Sequence, residues 1–215
     1  MDAVPRETPP AGLVAELFGA ADMSIRRYVD MLTSTGVTRG LIGPKESGRI
    51  WSRHILNCAV VARGIPPGAT VADLGSGAGL PGLVWAIARP DLELTVVDSQ
   101  LRRTTFLKEV VSALGLANVE ILRARAEELV GHRTFDVVTA RALAPLARLA
   151  PLALPLCAPG GAVLAFKGAS ASAELADAET ALRRLSAAAR IESHGTGLVD
   201  PPVLVVRIES SNAQS

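Results

Sequence analysis

The sequence predicts an α/β protein: an open, largely parallel sheet with helices on both faces. Three observations carry that expectation. From Thr70 onward, short apolar runs alternate with helical patterns, and regular β-α alternation implies parallel strands joined by crossover helices. Runs such as ELTVVD (93–98) and FDVVTA (135–140) lack clean polar alternation, as strands covered on both faces should. The run VADLGSGAGLPG (71–82) passes from an apolar strand through an acid into a glycine-dense turn, which is how such a sheet makes room for a ligand at a strand end.

The elements follow in order. Residues 1–12, MDAVPRETPPAG, are proline-rich and expected to be loose, and they lack the apolar core of a secretory leader. Two helical patterns, about 13–35 and 46–63, are separated by TGVTRGLIGP. Strands are expected near 70–75, 93–98, 118–123, 135–140, 161–167 and 203–209, with helices near 81–89, 101–115, 143–157 and 171–189. Pro81 suits the first turn of its helix, where no N–H donor is needed. In 101–115, Leu107, Val110, Val111 and Leu114 recur at helical spacing. The last two strands, near 190–196 and 203–209, have only a short Gly/Pro link between them. No crossover helix fits there, so they should pair antiparallel. The polar tail from Ser210 is expected to fray. This divides the chain into a helical extension, 1–66, and one compact unit, 67–215.

The glycine turn speaks to the ligand. Gly75, Gly77 and Gly79 let the backbone take positive φ and approach a ligand without a Cβ in the way. The N–H groups of the following helix favour anionic oxygens, and Asp98, closing the second strand, is placed to accept hydrogen bonds from ribose hydroxyls. The stretch from Gly77 to Gly82 equally fits the dinucleotide fingerprint G-x-G-x-x-G, with an acid about 20 residues on. A dinucleotide fold would continue with parallel units, whereas the terminal hairpin favours the Rossmann-like sheet of class I S-adenosylmethionine methyltransferases.

Composition bounds the setting. The 215 residues are 49% apolar with a net charge of +1, enough for one α/β domain with a modest extension. No apolar stretch approaches a membrane span. The two cysteines, Cys58 and Cys157, lie far apart and suit a reducing cytoplasm. No long heptad appears, and a monomer is expected. Charge is uneven: between Ser24 and Arg63 stand seven basic residues and two acids, as many a phosphate-facing surface as an ordinary solvated helix face would carry.

Ligands in an open α/β sheet bind beyond the C-terminal strand ends. There the sequence places Asp73–Gly79, Asp98, Ala126-Glu127, Thr139–Arg141 and Phe166–Gly168. Glu127 suits an adenine edge or, equally, the N-terminal dipole of the short AEEL turn. Arg141 faces the acceptor position, or else forms a salt bridge to Asp73 or another strand-end acid. Lys167 emerges near the same mouth or snorkels to solvent. No Asn/Asp-Pro-Pro-aromatic motif follows the fourth strand, which reads TARALAP, and Asp200-Pro-Pro-Val203 lies in the final hairpin as a turn. Cys58 and Cys157 read as core residues rather than nucleophiles, and His54, His132 and His194 have no metal-ligand spacing. With no strong base in view, the acceptor should already be nucleophilic, such as N7 of guanine, and alignment should supply most of the rate.

DLGSGAGLPG, VVDSQLRRTTFLKEVV, RAEEL, FDVVTARALAPL and FKG, with RHILNCAVV upstream, closely resemble the bacterial small-subunit ribosomal RNA guanine-N7 methyltransferases, the glucose-inhibited division protein B family. The resemblance is strong over about residues 24–168. It implies S-adenosylmethionine as cofactor and one guanine of 16S ribosomal RNA as substrate, presented in the 30S subunit or an assembly intermediate. The implied cofactor contacts fall on Gly75, Leu80, Ala126, Glu127 and Arg141, with Asp73, Gly77, Gly79 and Asp98 beside them. Arg141 and Lys167 are the implied substrate-positioning residues, and Arg26, Arg27, Arg49, Arg53, His54 and Lys167 the implied RNA-facing ones. Phosphate contacts would position the RNA and the pocket would select the splayed-out base. Two departures stand out: Asn57 where members often carry Asp, and the TGVTRGLIGP link. Trp51 is read as buried between the two helical segments, ahead of an RNA contact.

Overall fold

The computed structural model describes residues 7–211; the first half of the expected loose leader and most of the expected polar tail lie outside the described residues. The strands are β1 (Thr70–Leu74), β2 (Glu93–Val97), β3 (Val119–Leu122), β4 (Phe135–Arg141), β5 (Cys157–Phe166), β6 (Ala187–His194) and β7 (Val203–Ser210). The helices are α1 (Ala11–Phe18), α2 (Asp22–Met31), α3 (Leu56–Ala62), α4 (Gly82–Ala88), α5 (Leu101–Leu114), α6 (Leu146–Ala153) and α7 (Ala171–Arg184). One seven-stranded sheet runs β3-β2-β1-β4-β5-β7-β6. Pairs within β1–β5 are parallel, and β7 runs antiparallel to both β5 and β6, so the terminal hairpin forms as its short link requires.

Each face of the sheet has its own core. On one side α1–α5 bury Tyr28, Trp51, Trp85, Phe106 and Leu107 against Val71, Leu94 and Val96. On the other, α6 and α7 cover Ala72, Leu74, Val138 and Val163 with Leu146, Leu149, Ala178 and Leu182. The N-terminal helices therefore share a core with α4 and α5. Trp51 is 4% exposed, buried as its sequence reading favoured.

Boundaries moved where backbone or tertiary effects override local preference. The expected helix 13–35 breaks at Gly19, whose φ of +49° no right-handed helix accommodates. In the described part of the leader, the Glu7 carboxylate accepts the Trp51 and Ser52 amides and so ties that residue to the second helical segment. The helix expected at 143–157 forms over 146–153, and Cys157 already belongs to β5. The β4–β5 register slips between Phe135 and Val137, absorbing Pro159-Gly160-Gly161 as an irregularity. The helix expected at 171–189 stops at Arg184, because Ala187–Arg190 pairs with β7 along its edge. Alanine's helix preference there is outweighed by the ladder to β7 and by half-buried packing of Ala187 and Ala189 against the core.

Candidate functional site

Asp73, one residue before the end of β1, is fully buried. Its Oδ2 accepts the Ser76 hydroxyl and, at 2.9 Å, the Gly82 amide, while Oδ1 has no partner. Burial drives the carboxyl up from 3.8 to about 6, against the opposing pull of those two hydrogen bonds. The turn beyond it is held to β2, because the Gly75 and Ser76 amides donate to the Val97 carbonyl at 2.8 and 3.1 Å. Gly75, Gly77 and Gly79 all carry positive φ. Tyr28, buried in α2, donates to the Ala78 carbonyl at 2.8 Å and so ties the extension to the turn.

Asp98 follows β2 with its side chain 2% exposed. Its oxygens accept the Gly77 amide at 3.1 Å, the Gln100 amide at 2.9 Å and the Arg103 guanidinium at 3.1 Å. Asp98, Ala126 and Glu127 line a cavity of about 270 Å³ with Gly75 and Leu143. Glu127 is exposed at the start of the 126–129 turn. A second cavity of about 600 Å³ holds Gly75, Gly77, Leu80, His54 and Arg141. A third of about 610 Å³ lies between Arg53, Asn57, Arg141, Lys167 and Glu174. Leu143 lines all three, so they form one trough over the ends of β2, β1, β4 and β5. Gly75 holds φ at +66°, a conformation that favours glycine, and a Cβ there would also push aside the end of the exposed Leu143 side chain.

Arg141, at the end of β4, makes no ion pair with Asp73 or any other acid among the described residues. It donates to His54 Nδ1 at 2.6 Å, to the Arg53 carbonyl at 3.2 Å and to Cys58 Sγ at 3.5 Å. Lys167 does not snorkel. Its side chain is 6% exposed and its ammonium turns inward to Glu174 at 2.8 Å and to the Ala144 carbonyl at 2.6 Å. Burial pushes the Cys58 thiol up to about 11 and the Cys157 thiol up to about 12. Neither is a thiolate at neutral pH, in keeping with their reading as core residues.

The residues expected to face RNA divide. Arg27 and Arg53 are exposed. Arg26 pairs with Asp22 at 2.9 Å and lies 5.8 Å from the Trp51 ring centroid, and Arg49 pairs with Glu46. His54 is turned inward between Arg141 and Glu46. Sequence reasoning passed over Glu46, Leu143, Glu174 and Tyr28. Glu46 stood out only as a lone acid within a basic stretch, and nothing in TARALAP separated Leu143 from a helix residue.

The cradle fits an S-adenosyl cofactor on its own geometry. An unpartnered buried carboxylate oxygen, three glycines at positive φ and a buried acid after β2 surround the turn. Among the described residues, no cluster of His, Cys, Asp and Glu could hold a metal ion, and no helix is long and apolar enough to cross a membrane. A SAM-dependent O-methyltransferase from Thermotoga maritima superposes with a TM-score of 0.56 at 11% identity, over 76% of this chain and 69% of that one. That is a likeness of fold, and the sheet order and terminal hairpin agree with the Rossmann-like form anticipated from the sequence. The chain is 54% identical over 210 residues to the ribosomal RNA small subunit methyltransferase G of Nocardioides sp., covering 96% of this chain and 84% of that protein. It is 51% identical over 206 residues to the protein of the same name from Streptomyces avermitilis, covering 94% and 87%. A family model described as rRNA small subunit methyltransferase G matches residues 22–195, and with relatives this similar over most of its length the chain belongs to that family.

Proposed function

We propose that the chain methylates N7 of one guanine in 16S ribosomal RNA, using S-adenosylmethionine. The observation that carries this reading is the continuity of the glycine-turn cradle with a cavity bounded by Arg53, Arg141 and Lys167. When bound, the cofactor supplies an electrophilic methyl group on a sulfonium. Asp98 would hold the ribose hydroxyls, exchanging its bond to the partly exposed Arg103 for them, and Ala126 and Glu127 would meet the adenine edge. Gly75, Gly77, Gly79 and Leu80 would pass under the amino-acid end, with Asp73 supplying negative charge below.

On the acceptor side the available groups are donors. Arg141 and Lys167 offer N–H groups suited to a guanine oxygen, while Glu174 is already engaged by Lys167 and the Leu146 amide. The Cys58 thiol is protonated and the His54 Nδ1 lone pair is taken by Arg141. This set favours an acceptor atom that needs no proton removed. Guanine N7 is such an atom, and the protein's task reduces to alignment. Arg27, Arg49 and Arg53, with Arg26 at its edge, would position phosphates while the cavity selects the base. The extension 1–66 then acts as the RNA-facing part, the chain working as a monomer in the cytoplasm on the 30S subunit or an assembly intermediate.

The test is to incubate unmodified 30S particles with enzyme and methyl-labelled cofactor, then map the modified nucleotide. The expected product is a single 7-methylguanine in 16S RNA. Label confined to protein or small molecules, or placed on another base, would overturn the reading.

A further inference from the structure

Arginine has no acceptor atom and keeps its charge, so a nitrogen hydrogen-bonded to a guanidinium must present a lone pair. Arg141 lies 2.6 Å from His54 Nδ1, and the ring's other nitrogen, Nε2, lies 2.6 Å from Glu46 Oε2. The ring is therefore neutral, with its proton on Nε2 donated to Glu46. Glu46 is itself gripped by Arg49, whose hydrogen bond is the largest influence holding its carboxyl down at about 2. The His54 side chain is 13% exposed, which excludes most water from both bonds.

We infer that His54, fixed by Glu46, is a positioning residue that holds Arg141 at the mouth of the acceptor cavity. This rests on reading Arg141 as an acceptor-side group. Among the described residues Arg141 has no ion-pair partner, and its long side chain takes its direction from the His54 ring, the Arg53 carbonyl and the Cys58 sulfur. Only the first of these contacts can be switched by a proton. A protonated His54 would lose the lone pair Arg141 uses and set a second cation against it. The charged groups facing the ring are Arg141 from β4, Glu46 from the 44–49 turn and Arg53 from its own segment. Burial and Arg141 hold the ring's titration below its ordinary value while Glu46 opposes them, so the neutral form persists at neutral pH. Arg141 should therefore lose its orientation only on the acid side.

The experiment pairs spectroscopy with kinetics on the full chain. Nitrogen-15 NMR of labelled histidine should show His54 with Nδ1 unprotonated and Nε2 protonated at pH 7.5. In Arg141→Ala its titration midpoint should rise, and in Glu46→Gln it should fall. A ring protonated on Nδ1, or midpoints unmoved by both variants, would overturn the inference whatever the substrate. For activity, His54→Asn keeps an acceptor near the Nδ1 position, whereas His54→Gln places its amide near Nε2 and leaves Arg141 without a partner. Methyl transfer to 30S particles should fall by about tenfold or more in kcat for His54→Gln with KM little changed, and His54→Asn should stay within about threefold. The wild-type loss of kcat at acid pH should be absent in His54→Asn. Equal kcat and equal acid limbs in His54→Gln and wild type, with Arg141→Ala impaired, would refute the positioning role alone. Full activity in Arg141→Ala would refute the acceptor-side reading and the positioning role with it.

Discussion

Replacing Asp73 by Asn removes a carboxylate that lies fully buried near the end of β1 with one oxygen unpartnered. Its folded-state pKa stands at about 6 against 3.8 for the free side chain. The folded protein thus holds this proton more tightly than the unfolded chain. The group favours folding fully below pH 3.8, and that contribution is lost as pH rises through about 6. A gap of about two units at roughly 1.4 kcal/mol each makes the ionised form cost about 3 kcal/mol in all, of which about 2.5 kcal/mol develops between pH 4 and pH 7. Asn cannot titrate. The stability of Asp73→Asn minus that of wild type should therefore climb by about 2.5 kcal/mol between pH 4 and pH 7.5, or about 5–10 °C in melting temperature for a chain of this size. An Asn amide can orient its oxygen to Ser76 and Gly82, but its NH2 then meets the unpartnered position. That adds a pH-independent penalty of about 1–3 kcal/mol and leaves the slope untouched. Urea titrations of both proteins at half-unit pH steps measure the difference directly. A difference that stays flat across this range, or falls as pH rises, would refute the assignment of Asp73 as a buried, strained charge. Calorimetry with S-adenosylmethionine gives the functional half: the neutral variant should bind more weakly, since the carboxylate's cost is tolerable only if a cationic ligand group faces it.

Gly82→Ala would set a Cβ 2.7 Å from Asp73 Oδ2 and 3.1 Å from Val96 Cγ2, so stability should fall by about 1–3 kcal/mol in thermal melts and cofactor affinity should fall with it. Trp85→Phe deletes the 2.8 Å bond from Nε1 to the Cys58 carbonyl in a fully buried site; a loss of about 2 kcal/mol by urea titration is expected. For the RNA face, Arg27→Ala with Arg53→Ala should weaken 16S binding and lower the slope of log affinity against log salt by about 0.7–0.9 per lost phosphate contact in filter-binding assays. An unchanged slope would remove those two side chains from the RNA footprint.

The parts of the molecule legible in the sequence are those written locally. Strand, acid and glycine turn at 71–79 lie within one contiguous segment, and Asp98 follows one strand later. The hairpin could be read from a link too short for a helix. Charge was less legible, because counting residues cannot show pairing. Five of the seven basic residues between Ser24 and Arg63 are paired with acids near or far along the chain: Arg26 with Asp22, Arg39 with Glu109, Arg49 with Glu46, Arg63 with Glu16 and, more loosely at 3.8 Å, Arg53 with Glu46. The basic segment is therefore a weaker electrostatic patch than its composition implied, and its exposed part centres on Arg27 and Arg53. His54 and Arg141 stand 87 positions apart. Their contact depends on where α3's leading segment crosses the sheet, which no local pattern states. Lys167 was legible in position and not in direction, because its partner Glu174 belongs to the next helix.

These long-range contacts share a feature that bears on how the chain works. Tyr28 reaches the Ala78 carbonyl, the Cys58 carbonyl receives Trp85, and His54 receives Arg141. In each case the extension engages an element that builds the trough: the glycine turn, the helix after it, or the end of β4. Each bond is at least partly buried, and breaking one leaves a polar group without water to replace its partner. The extension and the sheet also share one apolar core, in which Tyr28, Trp51 and Trp85 pack together. A surface that docks RNA and a pocket that aligns a base must agree in position to within a fraction of an ångström for alignment to supply the rate. If the N-terminal helices face RNA as proposed, fusing them to the glycine turn through buried hydrogen bonds meets that demand, because the helices cannot shift without disturbing the turn. A flexibly tethered extension would supply the same charges without the same registration.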